Sequence, residues 1–179
     1  MEQRVNSRSR ILLFTGDGKG KTTAALGMVL RVLGHGMRAA VFQFVKGGGK
    51  TGELTALNRM DSALIAQTGR GFVPDATDPE FGTHAEAARK GLADAADAMT
   101  SGQWDLVVLD EINIAVSKAL VAEAEVIAAV RAAAPCTVVV LTGRGATQGL
   151  MALADTITEM KAVRHGLSNG WAAQQGVEF

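Results

Sequence analysis

Short apolar runs rich in β-favouring residues alternate along the chain with longer alanine-rich stretches whose apolar positions recur at helical spacing. The runs predict strands at 10–15, 38–44, 63–67, 105–110, 136–142 and 155–160, and the stretches predict helices at 21–34, 52–59, 84–101, 122–133 and 147–153. Strands that alternate with helices imply parallel pairing through helical crossovers, so the expected fold class is α/β, a mostly parallel central sheet flanked by helices. Leu106-Val107-Val108-Leu109 and Thr137-Val138-Val139-Val140-Leu141 are apolar on both faces, as central strands covered on each side must be. Cys136, beside the second run, reads as a small residue on a buried strand. The segment 68–83, which carries Gly69, Gly71, Pro74 and Pro79, reads as a long irregular loop of the kind that forms lids and binding segments.

Ligands of such sheets gather at the carboxyl ends of the strands. Three polar clusters stand there. After the first strand come Thr15, Gly16, Asp17, Gly18, Lys19, Gly20, Lys21 and Thr22, followed by Thr23 in the helix-forming stretch. A glycine-rich turn between strand and helix lets backbone N–H groups converge on phosphate oxygens, and the helix N-terminus adds partial positive charge. Lys21 supplies a point charge and Thr22 a hydroxyl for Mg²⁺. The loop departs from the G-x-x-x-x-G-K-[ST] pattern: three residues separate Gly16 from Gly20, and Thr15 holds the usual first glycine position. The phosphates are therefore expected to lie differently from those of an ordinary NTPase.

The second cluster is Asp110-Glu111. Asp110 follows a buried strand, the placement of an acid that positions Mg²⁺; capping a helix at 112–120 is the competing reading. Glu111 can polarise a water, support the metal shell or stand at a helix start. The third cluster is Thr142-Gly143-Arg144-Gly145, in which Arg144 either reaches a phosphate or carboxylate or is solvated. Lys46, with Gly47, Gly48 and Gly49 after the second strand, is read either as a ligand contact or as part of a surface loop.

Composition narrows the class. The chain has 179 residues, 47% apolar, with 18 basic and 18 acidic side chains. One domain-sized core is expected, and the balanced charge gives no general attraction to nucleic acid or to an anionic membrane. The first ten residues are polar and no later stretch has the apolar length of a membrane span, so a cytoplasmic protein is expected. With a single cysteine no internal disulfide forms. The expected organisation is a flexible N-terminal segment at 1–10 and a P-loop domain at 11–179.

Taken in order, TGDGKGKTT (Thr15 to Thr23), FQFVKG (Phe42 to Gly47), LVVLDEI (Leu106 to Ile112), LTGRG (Leu141 to Gly145) and the tail through Gly176-Val177-Glu178-Phe179 resemble the P-loop branch of the ATP:corrinoid adenosyltransferases. Ala154 to Lys161, followed by Arg164-His165, also resembles that family, and the likeness covers nearly the whole chain from Ile11 onward. It implies a RecA-like domain in which ATP donates its adenosyl group to cobalamin or its cobyrinic or cobinamide precursors. Co(I) attacks the 5′ carbon of the ribose and triphosphate leaves. Lys21 and Thr22 are then the catalytic candidates, stabilising the departing triphosphate together with Lys19 and Mg²⁺. Thr15 to Thr23, Lys46, Phe72 and Arg144 are the candidate binding residues, and Thr22, Asp110 and Glu111 the candidate metal residues. The resemblance further implies a reversed triphosphate, a flavoprotein reductant and a homodimer.

It also implies an apolar, aromatic lid that displaces the lower axial ligand of the corrinoid. Phe72 matches the aromatic position of that lid, but Pro74 stands where a tryptophan is usual. Phe81 either replaces the lost aromatic surface or packs in the interior. About ten residues precede the first strand, so the N-terminal helical cover of several relatives is expected to be absent. Two other functions stay open on sequence alone: a P-loop ATPase or kinase using Glu111, and a nucleotide-dependent corrinoid carrier.

Overall fold

The computed structural model describes residues 8–49, 51–166 and 170–177. The expected N-terminal segment is therefore described only from Arg8 onward, and Glu178 and Phe179 lie outside the described residues. In chain order the elements are β1 (Ile11–Thr15), α1 (Lys21–Gly34), β2 (Ala39–Gln43), α2 (Gly52–Leu57), β3 (Ala63–Gln67), α3 (Phe81–Thr100), β4 (Leu106–Asp110), α4 (Ile112–Ser117), α5 (Glu123–Arg131), β5 (Val138–Thr142), α6 (Gln148–Leu153) and β6 (Thr156–Glu159).

The six strands form one sheet in the order β3-β2-β4-β5-β1-β6, and every pairing is parallel. β4 and β5, the two runs that are apolar on both faces, are the central pair. Successive side chains of a strand point to opposite faces, and β4 divides accordingly. Val107 and Leu109 pack with α3, α4, α5 and α6, while Leu106 and Val108 pack with α1 and α2. α3 buries Ala85, Ala88, Leu92, Ala95 and Met99, small and large side chains that let a long helix lie close to the sheet. β6, at the edge, is exposed along its whole length.

Two expectations are corrected. α3 begins at Phe81 rather than at residue 84, which shortens the irregular segment: Phe81 packs against the main core and its N–H donates to Asp78 O, so the helix starts where an apolar anchor is available. Cys136 is exposed and not on a strand. The Thr137 N–H closes a turn onto Ala134 O and the ladder starts only with Val138, whose N–H donates to Asp105 O.

Gly91 on α3 faces Thr68, just past β3, and a Cβ there would overlap the Thr68 hydroxyl. Gly82, on the same helix, has open space around it. Alanine raises helix propensity at both sites by roughly 1 kcal/mol, but at Gly91 the overlap adds an overpacking cost of about 1–3 kcal/mol. Gly82→Ala is expected to raise the urea midpoint and Gly91→Ala to lower it; equal shifts would show that α3 does not need this close approach.

Candidate active site

β1 ends in the glycine-rich loop, and α1 starts at Lys21. Gly16 (φ 92°) and Gly20 (φ 119°) take left-handed conformations that side chains disfavour. The loop is braced from outside: Gly18 N–H donates to Met160 O at 2.6 Å, just past β6. A Cβ on Gly16 or Gly18 would lie 2.5 or 2.6 Å from that same oxygen. These glycines are therefore required by the neighbouring chain as well as by any phosphate. Lys21 is buried, and its Nζ donates to Gly16 O at 2.6 Å and Gly18 O at 2.7 Å. Burial pushes its ammonium below the usual lysine value; Arg144 adds to the effect, and Glu111 and Asp17 oppose it. Lys19 Nζ donates to Val177 O at 2.5 Å, which brings the C-terminal tail against the loop.

Asp110, at the end of β4, is 1% exposed. Its Oδ1 accepts from Thr22 Oγ1 at 2.8 Å and Thr142 Oγ1 at 2.7 Å, and its Oδ2 from Gln43 Nε2 at 3.3 Å. Glu111 follows in a left-handed conformation (φ 63°) that turns the chain sharply into α4. Its N–H donates to Thr142 Oγ1 at 2.9 Å. Its Oε2 is buried and accepts no hydrogen bond, as is true of Asn113 Oδ1. Burial pushes the Glu111 carboxyl above the usual range and the neighbouring Asp110 adds to this, against the pull of Lys21, Arg144 and Lys46.

Lys46 pairs with Glu53, whose Oε1 accepts from Lys46 Nζ at 2.5 Å and from Gln43 Nε2 at 3.2 Å. Burial pushes the Glu53 carboxyl up, but hydrogen bonds from Lys46, its own backbone and Gln43 outweigh that and hold it below the usual range. Arg144 is exposed and reaches Asp17 O at 3.4 Å.

These elements enclose a cleft of about 570 Å³. Of the candidates named from sequence, Gly18, Lys19, Gly20, Lys21, Thr22, Thr23, Lys46, Glu111 and Arg144 line it. Asp110 stands behind Thr22. Thr15, Gly16 and Asp17 form the loop's far side, Thr15 Oγ1 accepting from Ala146 N–H at 3.4 Å. Phe72 is apart from the cleft, 93% exposed on the loop between β3 and α3. Phe81, partly buried, packs against the core instead. His165, Gly176 and Val177 line the cleft from the C-terminal segment. Glu53 lines it too, and sequence reasoning missed it. An acid in the first turn of a helix reads as a partner of the helix dipole, and only its closeness to FQFVKG hinted at more.

The donors fit Mg²⁺, which takes oxygen ligands and shares its shell with substrate phosphates. A Thr22 hydroxyl, the Asp110 carboxylate behind it and the unpartnered Glu111 Oε2 are hard oxygens at one end of the sheet. Among the described residues no three His, Cys, Asp or Glu side chains cluster, so the chain by itself builds no closed metal cage.

A family model described as ATP:corrinoid adenosyltransferase BtuR/CobO/CobP matches residues 7–179. The chain belongs to this family. It is a transferase of the α/β P-loop class. The corrinoid adenosyltransferase of Pseudomonas aeruginosa is 41% identical over 179 residues, 99% of this chain and 87% of that protein. The corrinoid adenosyltransferase of Escherichia coli K12 is 34% identical over 179 residues, covering 99% and 89%. The corrinoid adenosyltransferase CobA of Salmonella typhimurium is 36% identical over 181 residues, with the same coverage. No helix among the described residues is long and apolar enough to cross a membrane.

The folded chain holds a proton on Glu111 more tightly than the unfolded chain does. Stability therefore falls as pH rises from the ordinary glutamate value through the raised one. Glu111→Gln removes that decline. The variant is expected to gain on the order of 1 kcal/mol over wild type at pH 7, from relief of a buried, unsatisfied charge. The gain should vanish at pH 4. Denaturant titrations at the two pH values check it, and a gain equal at both would refute the buried-charge account.

Proposed function

We propose that the cleft holds ATP with its triphosphate on the loop from Gly18 to Thr23 and presents the ribose 5′ carbon to Co(I) of a corrinoid. The observation that carries this reading is the convergence of Lys19, Lys21, Thr22, Lys46 and Arg144 on one cleft, whose lining among the described residues includes no serine or cysteine. The electron pair of Co(I) forms the Co–C bond, the C5′–O bond breaks, and triphosphate leaves with the two electrons of the broken C5′–O bond. No covalent protein intermediate is needed. The chain's task is positional and electrostatic.

Lys21 exchanges the Gly16 and Gly18 carbonyls for phosphate oxygens, and Lys19 likewise gives up Val177 O. Desolvation of Lys21 strengthens its attraction to the charge gathering on the leaving group. Thr22, with Asp110 behind it and Glu111 beside it, would hold Mg²⁺, whose charge would offset part of that on the triphosphate. A triphosphate reversed relative to most P-loop enzymes is carried over from the family resemblance, and the loop, one residue shorter than the ordinary pattern, is compatible with it. The exposed Phe72 is assigned to the corrinoid, as a lid residue that loses its solvent contact when the corrinoid binds. A flavoprotein electron donor and a homodimer, supported by the family resemblance, and a cytoplasmic location, supported by the polar first ten residues and the lack of a long apolar stretch in the sequence, complete the proposal.

MgATP and chemically reduced corrinoid are expected to give a light-sensitive Co–C product and triphosphate in equal amounts. Orthophosphate without a corrinoid product would overturn the reading in favour of an ATPase. Lys21→Ala is expected to lower kcat/KM by roughly 10²–10³, as loss of a charge-stabilising donor does, with an unchanged circular dichroism spectrum.

Phe72→Ala is expected to weaken corrinoid use about tenfold or more, since loss of a buried aromatic contact is worth at least ~1.4 kcal/mol. ATP affinity should not change. A loss of ATP affinity instead would place Phe72 on the nucleotide.

A further inference from the structure

Glu53 stands in the first turn of α2, where an acid ordinarily complements the helix dipole and faces solvent. Its side chain is only 14% exposed and turns one oxygen toward Lys46 and Gln43. α2 does not need it as a cap, because the Thr51 side chain already accepts from Leu54 N–H. Gln43 is fully buried at the end of β2, and its register partner on β4 is Asp110. The nitrogen that reaches Glu53 also lies 3.3 Å from Asp110 Oδ2, and Gln43 Oε1 accepts from Gln67 Nε2 at 3.2 Å. A primary amide offers two N–H groups and one carbonyl. Gln67 fixes which way this amide faces, and its two N–H groups bridge the carboxylates of Glu53 and Asp110. A largely buried carboxylate is tolerated only where it is paired and hydrogen-bonded; of the partners of this one, Lys46 lines the cleft and Gln43 leads inward to Asp110.

We propose that Glu53 is a positioning residue for triphosphate recognition. It holds the Lys46 ammonium at the cleft wall and, through Gln43, steadies Asp110 behind Thr22. Lys46 leads into Gly47-Gly48-Gly49, a run with no side chains of its own to anchor it. Tethering a long side chain before the ligand arrives reduces the entropy lost on binding. The inference rests on the nucleotide-binding reading of the cleft.

Calorimetric titration of the full chain with ATP, with and without Mg²⁺, tests it. Glu53→Ala is expected to weaken MgATP binding about tenfold, which appears in turnover as a raised KM for ATP with kcat largely kept. Glu53→Gln, which keeps an acceptor oxygen for Gln43 and Lys46, should recover most of the affinity. Because Glu53 acts in large part through Lys46, the double variant Lys46→Ala with Glu53→Ala should lose less affinity than the two single losses added together. Wild-type affinity in Glu53→Ala, or losses that add in the double variant, would overturn the assignment. If wild type binds MgATP but yields no triphosphate, the transfer reading fails while the same comparison of variants still decides the role of Glu53.

Discussion

Four elements of the site are tied to a single buried carboxylate. Asp110 ends β4 and takes donors from α1 (Thr22), β5 (Thr142) and β2 (Gln43). A carboxylate at this depth is costly unless donors surround it, so these contacts are a condition of its being there. Because the partners arrive from different elements, their distances from the phosphate loop are fixed together. Thr142 makes the tie tighter by also accepting from the Glu111 N–H, so the hydroxyl that holds Asp110 also holds the turn into α4. The order of the sheet makes this possible: β2 and β5 flank β4, and their carboxyl ends deliver Gln43 and Thr142 to it.

The phosphate loop depends on a second constraint, which acts from the side away from the cleft. Met160 O lies so close to Gly16 and Gly18 that neither could carry a Cβ, and it takes the Gly18 N–H. That amide is committed to the protein, so the donors left for the proposed triphosphate are Lys19, Lys21, Thr22 and the remaining backbone N–H groups. β6, exposed along its whole length, adds little to the core, yet it places Met160 against the loop. An edge strand that contributes little to the core thereby shapes the site.

The parts of the fold legible in sequence were those with a strong local signal. The doubly apolar runs marked β4 and β5 as central, and the strand-loop-helix order of Thr15 to Thr23 put Lys21 and Thr22 at a helix start. The errors arose where tertiary contacts override local pattern. Cys136 looks like strand because Thr137 and the valines follow it, but a turn onto Ala134 delays the ladder to Val138. Phe81 was open to either a lid or an interior role, and its packing against the core as the first residue of α3 favours the second. Glu53 was invisible because its meaning depends on Gln43 and Lys46, which only the folding of α2 onto the end of β2 brings beside it.

Backbone strain and unmet hydrogen bonding coincide at Glu111. Glu111 adopts a left-handed conformation unfavourable for a side-chain-bearing residue, and its Oε2 and Asn113 Oδ1 are buried without donors. Gly143, at φ 129°, faces both residues, its Cβ position 3.0 Å from Glu111 Oε2 and from Asn113 Cβ. Each such feature costs on the order of 1–3 kcal/mol, and a fold selected for stability alone would satisfy these atoms or replace them with apolar ones. Strained backbone persists where the surrounding structure overdetermines it, and here the Asp110 hub and the buried ends of β4 and β5 do so. The acceptor is thus left bare beside Gly143, on a carboxyl that feels the positive charges of Lys21 and Arg144 and whose own charge a bound cation would relieve.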